Sequence, residues 1–155
     1  MKNILIISAC LIAGLFFSPN SATAQSEEEA VKATIMTLFD GMREADSAKV
    51  HSVFIDDVRM QTIAPGRGGE ITLQTGSLKR FLTSVGTPHD KMYDEQILDY
   101  QIKIDGAMAS VWTPYKFYLG DQFSHCGVNS FQLMKASEGW KIIYLVDTRR
   151  RDNCE

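Results

Sequence analysis

The stretch QILDYQIKIDGAMASVWTPYKFYL, residues 96–119, alternates apolar and polar side chains on both sides of Asp105-Gly106. Such alternation is typical of half-buried strands, and Asp-Gly is a preferred two-residue hairpin turn. Two further alternating runs follow, separated by a second turn at Gly120-Asp121 and a third at residues 136–139. The pattern therefore predicts an antiparallel meander of four strands, at residues 96–104, 107–119, 124–135 and 140–149.

The half of the chain before the meander is mainly helical in pattern. Ser26 and Glu29 form a capping box in front of a helical apolar stripe that ends near residue 45, and Asp46 can cap a short second helix. Two short strands, residues 58–63 and 71–74, then precede a third helix over residues 77–85. This order predicts an α+β fold in which three helices pack on the concave face of a curved, mainly antiparallel sheet, a cone-shaped α+β barrel.

The N-terminus has the features of a secretory signal. Lys2 is followed by an apolar run at residues 4–17, and Ala22-Thr23-Ala24 fits the small-x-small cleavage pattern. We interpret residues 1–24 as a removed signal peptide and residues 25–155 as one domain of an exported, periplasmic or secreted protein. A lipoprotein site at Cys10 is rejected, because too few apolar residues precede it.

Net charge limits the kinds of partner expected for the chain, and the cysteine count predicts a disulfide. Removal of Lys2 lowers the 16 basic residues to 15 against 19 acidic ones, a net charge of −4. This balance gives no general attraction to nucleic acid or to an anionic membrane. The exported chain keeps two cysteines, and an even number in an oxidising compartment favours a disulfide between Cys126 and Cys154.

Hairpin registers sort the strand residues into two faces. The face predicted to lie under the helices carries an unusual number of polar groups, and buried polar groups need partners, water or a ligand. These predicted pocket residues are Tyr100, Thr113, Tyr115, Ser130, Gln132, Asp147 and Arg149. The opposite face would expose Trp112, Phe131, Trp140 and Tyr144, which suggests a homodimer interface through the sheet.

The chain resembles the nuclear transport factor 2-like superfamily, which has the cystatin-like cone fold, and particularly its secreted polyketide-cyclase-like and ketosteroid-isomerase-like members. The resemblance rests on the opening helix at residues 27–43, on EADSAKVHSVFIDDVRM (44–60), on SLKRFLTSV (77–85) and on the closing GWKIIYLVDTRR (139–150). It implies a pocket between the concave sheet and the helices and dimerisation through the sheet. Catalytic members use an acid/base inside the cone, usually an aspartate or a His–Asp pair.

Two functions follow as hypotheses. The preferred one is a binding or interaction domain for a small apolar or carboxylate-bearing molecule, without a cofactor. The other is a cofactor-independent lyase or isomerase with Asp147 or Asp57 as general base near Tyr115. Asp147 and Arg149 lie two apart on one strand face, and an ion pair, with each other or with a helix, is the favoured interpretation of them.

The adjacent His125 and Cys126 in FSHCGVNSF, residues 123–131, invite an interpretation as a nucleophile and its base. Neighbouring residues on a strand point to opposite faces, so we expect no such pair. Cys126 is expected to face inward near Arg149. No metal site is expected either, because His51, His89 and His125 lie in separate predicted elements without ligand spacing.

Overall fold

The computed structural model describes residues 20–154, with side chains from Gln25 onward. Its elements are α1 (Asn20–Arg43), α2 (Ser47–His51), β1 (Phe54–Pro65), β2 (Ile71–Thr75), α3 (Leu78–Gly86), β3 (Tyr93–Ile97), β4 (Gln101–Asp105), β5 (Met108–Leu119), β6 (Gln122–Ala136) and β7 (Gly139–Thr148). The predicted signal peptide at residues 1–24, with Cys10, lies outside the described side chains. None of the described helices combines the length and apolar character needed to cross a membrane.

One curved, unclosed sheet contains all seven described strands in the order β2-β1-β7-β6-β5-β3, with β4 also paired to β5. Within it, β1 and β7 run parallel and the remaining pairs are antiparallel. The helices pack on its inner face around one core. The predicted α+β class is therefore confirmed, although the sheet curves without closing into a barrel.

Helix α1 buries the predicted apolar stripe, with Val31, Ile35 and Leu38 at most 1 % exposed. It begins at Asn20 rather than at Glu27, so the Ser26–Glu29 pair lies inside the helix and the predicted start is seven residues late. Glu27 instead holds the helix to the β6–β7 hairpin, because it accepts hydrogen bonds from Lys135 Nζ at 2.6 Å and from Trp140 Nε1 at 3.0 Å.

Side-chain caps fix the starts of the two shorter helices. The Asp46 carboxylate accepts from Lys49 N at 2.9 Å, as its sequence position predicts, and the Ser77 hydroxyl accepts from Arg80 N at 3.3 Å. Helix α3 buries Leu78 and Val85 and packs against β1. It thereby covers the part of the inner face that α1 leaves open.

The predicted strand at residues 96–104 is two strands, and this changes which side chains face inward. Both β3 and β4 pair with β5, but their registers differ by one residue across the break at residues 98–100. Leu98, which simple alternation with Tyr100 and Ile102 would place on the inner face, is 50 % exposed. Glu95 and Ile97 face inward in its place, since they lie opposite the inward-facing residues of β5.

Two register shifts correct the predicted faces of β6 and β7. The first lies in the β5–β6 ladder at Phe117/Tyr118 and the second in the β6–β7 ladder at Gln132/Leu133. The first turns Ser130 and Gln132 to the outer face and Phe131 to the core. The second shift cancels the first, so residues from Leu145 onward lie on the face that the sequence predicts. Trp140 precedes this shift in the chain and therefore also lies in the core.

A disulfide joins Cys126 to Cys154, the predicted pair. Cys126 also forms a backbone bridge with Arg150, with both N–H···O distances at 2.9 Å. Cys126 was expected near Arg149 on the inner face, but the shift in β6 turns it away from that face. The disulfide therefore holds the C-terminal tail beside the end of β7.

Candidate functional site

A cavity of about 590 Å³ opens between α1, α3 and the inner face of the sheet. Pockets of a few hundred cubic ångströms are the usual size for small-molecule sites. Its apolar wall comes from both helices and from two strands: Leu38, Phe39, Met42, Phe81, Phe117 and Leu145. The wall can therefore hold the apolar body of a ligand.

Buried polar groups interrupt this apolar lining where β3 and β6 face the cavity. Glu95 is 9 % and Asn129 is 4 % exposed, and Asn129 Nδ2 donates to Glu95 Oε1 at 2.6 Å. Burial raises the pKa of Glu95 to about 7, despite the hydrogen bond from Asn129, and the charge of Asp147 adds to the rise. Near neutral pH this carboxyl group can consequently either donate or accept a proton.

Asp147 and Arg149 form an ion pair along the edge of the same cavity. Arg149 Nε donates to Asp147 Oδ2 at 2.7 Å, and Asp147 is 8 % exposed. Burial pulls the pKa of Arg149 down, but the neighbouring Asp147 carboxylate outweighs it and leaves that pKa raised. This carboxylate is therefore already bonded to a cation, whereas the Glu95 carboxyl group is bonded to the neutral amide of Asn129.

Tyr115 lies behind this pair and is 2 % exposed. Its hydroxyl donates to the Thr148 carbonyl oxygen at 2.9 Å and lies 3.5 Å from Asp147 Oδ2. Burial, together with the charges of Glu95 and Asp147, raises the pKa of Tyr115 far above its usual value. Tyr115 is therefore a protonated, bonded member of the wall behind the cavity.

His125 adds an aromatic nitrogen donor or acceptor to the lining. Its ring centroid lies 5.0 Å from that of Phe117 and 5.8 Å from that of Tyr115, and its Nδ1 lies 3.1 Å from Ser124 Oγ. Burial, followed by the charge of Arg149, lowers its pKa. His125 is therefore a neutral ring at neutral pH.

The residues predicted as pocket groups occupy four different places. Asp147 and Arg149 line the cavity, whereas Thr113 and Tyr115 lie on the inner face without lining it. Tyr100 packs against α1, with Lys32 Nζ 4.9 Å from its ring centroid.

The remaining candidates lie away from the cavity. Ser130 and Gln132 point to the outer face, where Gln132 Nε2 donates to Ser110 Oγ at 3.1 Å. Asp57, the other candidate base, was predicted to lie either at the pocket or in a turn after the second helix. It is exposed instead, in the irregular part of β1 between Phe54 and Arg59, where the register with β7 shifts.

Sequence reasoning missed Glu95, Asn129 and His125. A signal for Glu95 was present, because Tyr93, Glu95 and Ile97 form a short alternating run with one acid between two apolar side chains. His125 and Asn129 share a parity with Phe131 and Leu133, so a one-residue shift of the predicted β6 face would have found both.

The described residues contain no cluster of histidine, cysteine and carboxylate side chains that could hold a metal ion. His89 illustrates the isolation of the histidines, since its ring stacks on Tyr93 at 4.0 Å between centroids.

Comparison with known proteins shows to which superfamily this chain belongs. A family model described as "Putative lumazine-binding" matches residues 26–146. A search of curated proteins finds no significant match.

Solved structures show the same fold at low sequence identity. An NTF2-like protein of unknown function from Shewanella baltica OS155 has a TM-score of 0.61 at 14 % identity, covering 83 % of this chain and 97 % of that one. An NTF2-like protein with a cystatin-like fold from Novosphingobium aromaticivorans has 0.67 at 9 %, covering 90 % and 94 %. A "Putative Scytalone Dehydratase" from the same organism has 0.66 at 13 %, covering 84 % and 88 %.

Proposed function

The chain belongs to the lumazine-binding-like family of the nuclear transport factor 2-like superfamily, and we propose that it is a small-molecule-binding domain. Its ligand lies in the cavity between the inner face of the sheet, α1 and α3. The family description names lumazine, a flat bicyclic heterocycle, and a flat ring body suits a cavity walled by Phe39, Phe81 and Phe117.

One observation carries this proposal: an apolar cavity with a buried hydrogen-bonding pair inside it. Apolar walls supply most of the binding free energy of a small ligand, and a few fixed polar groups orient it. Glu95 and Asn129 are such groups, because each is buried and they bond each other at 2.6 Å. Removing them from water costs free energy that a ligand with a complementary polar edge would recover.

The test uses N-phenyl-1-naphthylamine, an uncharged probe that fluoresces in apolar sites. Wild-type protein should bind it, and Thr62→Phe should weaken binding at least about tenfold, because Thr62 lines the cavity and a ring there fills it. Thr75→Phe is the matched control, since Thr75 is exposed on the neighbouring strand β2 and does not line the cavity. Equal binding by both variants would contradict the proposal.

A second candidate function is a cofactor-independent lyase or isomerase. The observation that favours it is Glu95, a buried cavity carboxyl group with a pKa of about 7. Glu95 replaces Asp147 and Asp57 as the proposed base, because Asp147 is bonded to Arg149 and Asp57 is exposed. In this reaction the carboxylate takes a proton from a carbon beside a carbonyl, leaving an enolate, and returns it at another position.

Deuterium exchange into 2-tetralone in heavy water tests this candidate by mass spectrometry. Wild-type protein should exceed the buffer rate, Glu95→Gln should not, and Asp57→Asn should match wild type. An unchanged rate in Glu95→Gln would remove Glu95 as the base.

The predicted export and homodimerisation belong to the same proposal. The disulfide between Cys126 and Cys154 suits an oxidising compartment. The outer sheet face carries exposed Trp112, Ile63 and Leu73, which supports association through that face.

A further inference from the structure

Two arginines line the cavity while remaining open to solvent. Arg80 on α3 is exposed, and the side chain of Arg149 at the end of β7 is 53 % exposed. Glu95, Asn129 and Asp147 are buried, so the two guanidinium groups lie closer to solvent than these three side chains do. The cavity thus has cationic groups at its opening and an uncharged or anionic pair inside.

Both guanidinium groups keep donors for a ligand. In the described part of the chain, Arg149 uses Nε for Asp147, and Arg80 uses Nη2 for the Thr75 carbonyl oxygen at 3.3 Å. A guanidinium group has five N–H donors in a planar fork that matches a carboxylate. Each arginine can therefore donate further hydrogen bonds without breaking those contacts.

The net charge of the cavity lining depends on whether Glu95 is protonated. Arg80 and Arg149 contribute two positive charges and Asp147 one negative charge, while His125 is neutral. The lining therefore carries one net positive charge when Glu95 is protonated and none when it is ionised.

We propose that the cavity selects a small monocarboxylate, with its carboxylate between Arg80 and Arg149, its apolar body inside, and Glu95 protonated in the complex. This inference rests on the proposed small-molecule binding. An anionic ligand and an ionised Glu95 in the same cavity would repel each other. As pH rises toward and above neutrality, free Glu95 loses its proton, so binding the anion must take that proton up again and the affinity falls. A cationic ligand would show the opposite pH trend.

The groups around Glu95 fix this direction. The groups that act on Glu95 are Tyr115 on β5, Asn129 on β6, and Asp147 and Arg149 on β7, with Asp94 adjacent on its own strand. His125 on β6 and Arg80 on α3 line the same cavity. Helix α1 contributes apolar Leu38, Phe39 and Met42 to the lining. Burial keeps the pKa of Glu95 at about 7, so its proton can respond to a ligand charge.

The experiment compares 2-naphthoate, its isosteric amide 2-naphthamide, and the cation 2-naphthylmethylamine as competitors of the naphthylamine probe. At about pH 6 we expect the acid to bind at least about tenfold more tightly than the amide, as charge-assisted hydrogen bonds allow. The carboxylate of 2-naphthoate stays ionised at this pH and above, so a loss of its affinity at about pH 8 reports the ionisation of Glu95.

Matched variants assign the effect. Arg80→Gln should remove most of the preference for the acid over the amide, Arg80→Lys should restore part of it, and Lys79→Gln should behave as wild type. Lys79 is exposed on the same helix but does not line this cavity. Glu95→Gln should bind the acid equally well at both pH values.

The outcomes separate this inference from the proposed function. If acid and amide compete equally, and Thr62→Phe weakens the probe, the cavity binds ligands but the monocarboxylate inference is wrong. Tighter binding of the amine also overturns it. If the probe does not bind in the cavity, both fail.

Discussion

At the scale of single residues, the burial of Glu95 costs stability whenever that carboxyl group is ionised. Its pKa is about 4.5 when unfolded and about 7 when folded, because burial disfavours the charge. Between these values the folded protein holds a proton that the unfolded chain has lost. The free energy of unfolding therefore falls as pH rises through this window, by ~3 kcal/mol in all, and stays reduced above it.

Replacing Glu95 by an uncharged side chain should remove this fall of stability with rising pH. Glu95→Gln keeps the shape and an acceptor for Asn129 but carries no charge, so it should be more stable than wild type at about pH 8 and about equal at about pH 4. Urea unfolding at the two pH values measures this. Glu28→Gln, an exposed carboxylate on α1, should leave the pH profile unchanged; a Glu95→Gln profile parallel to wild type would contradict the account.

The sequence predicted some of the site residues and not others for a physical reason. Asp147 and Arg149 share a strand face with Leu145, and the two register shifts before them cancel. Asn129 lies beyond one uncompensated shift, so strict alternation placed it on the wrong face. Glu95 precedes residue 96, where the first strand was predicted to begin, so it was assigned to no face. Tertiary contacts, which set the shifts, are absent from a local pattern.

At the scale of elements, the approach of β6 to β7 depends on Gly127. A Cβ at this position would overlap the Thr148 carbonyl oxygen and lie 3.0 Å from Tyr115 Cε1. Thr148 O also accepts the Tyr115 hydroxyl, so the strand end cannot move away freely. The glycine thus permits the close strand contact that fixes Asp147 beside the cavity.

Gly127→Ala should therefore destabilise the fold by at least ~1–3 kcal/mol, the usual cost of overpacking. Chemical unfolding measures the loss. Gly76→Ala is the control, because a Cβ there meets Met60 at an ordinary 3.6 Å. Equal stability of the two variants would show that β6 and β7 do not need this contact.

The disulfide holds the tail to β6 across a sequence separation of 28 residues. Closing a loop of that length stabilises a fold by roughly 3–4 kcal/mol in the chain-entropy model. Replacing both Cys126 and Cys154 by serine should lower the free energy of unfolding by about this amount. Wild-type protein under dithiothreitol should match the double variant, and no change in either would show that the bond does not form in solution.

Element prediction succeeded where the pattern was strong. The hairpins of the meander, the Asp46 cap and the third helix were all predicted, because turn chemistry and helical spacing are local signals. The start of α1 was missed because Ser26 and Glu29 satisfy a capping pattern inside a longer helix. The break between β3 and β4 was missed because Leu98 and Tyr100 continue an apolar alternation across it.

At the scale of the whole molecule, the outer sheet face should form the homodimer. Trp112 is 48 % exposed there, and Ile63 and Leu73 lie opposite each other across β1 and β2. Trp112→Glu should convert a dimer into a monomer in sedimentation velocity, because a charge would be buried at the interface.

Met36→Glu is the control for this prediction, since Met36 is 45 % exposed on α1, which packs on the inner face. It should remain dimeric. A monomeric wild-type protein, or a dimeric Trp112→Glu variant, would contradict association through this face.

The fold as a whole could be predicted because many weak signals agreed on it. The alternating meander, the helical stripes and the order of elements all require helices on one face of an antiparallel sheet. The predicted outer aromatic cluster was wrong in part, because Phe131 and Trp140 are core residues. Only Trp112 and Tyr144 of that set remain on the outer face.

The most direct test of the central claim is amide shift mapping by NMR during titration with N-phenyl-1-naphthylamine. Ring currents from a probe inside the cavity should move the amide signals of Phe81, Phe117 and Leu145, which line it from three elements. Saturable shifts confined to such residues are the predicted result. Shifts confined to the outer face around Trp112 and Ile63, or none at all, would contradict the claim that this cavity is a ligand site.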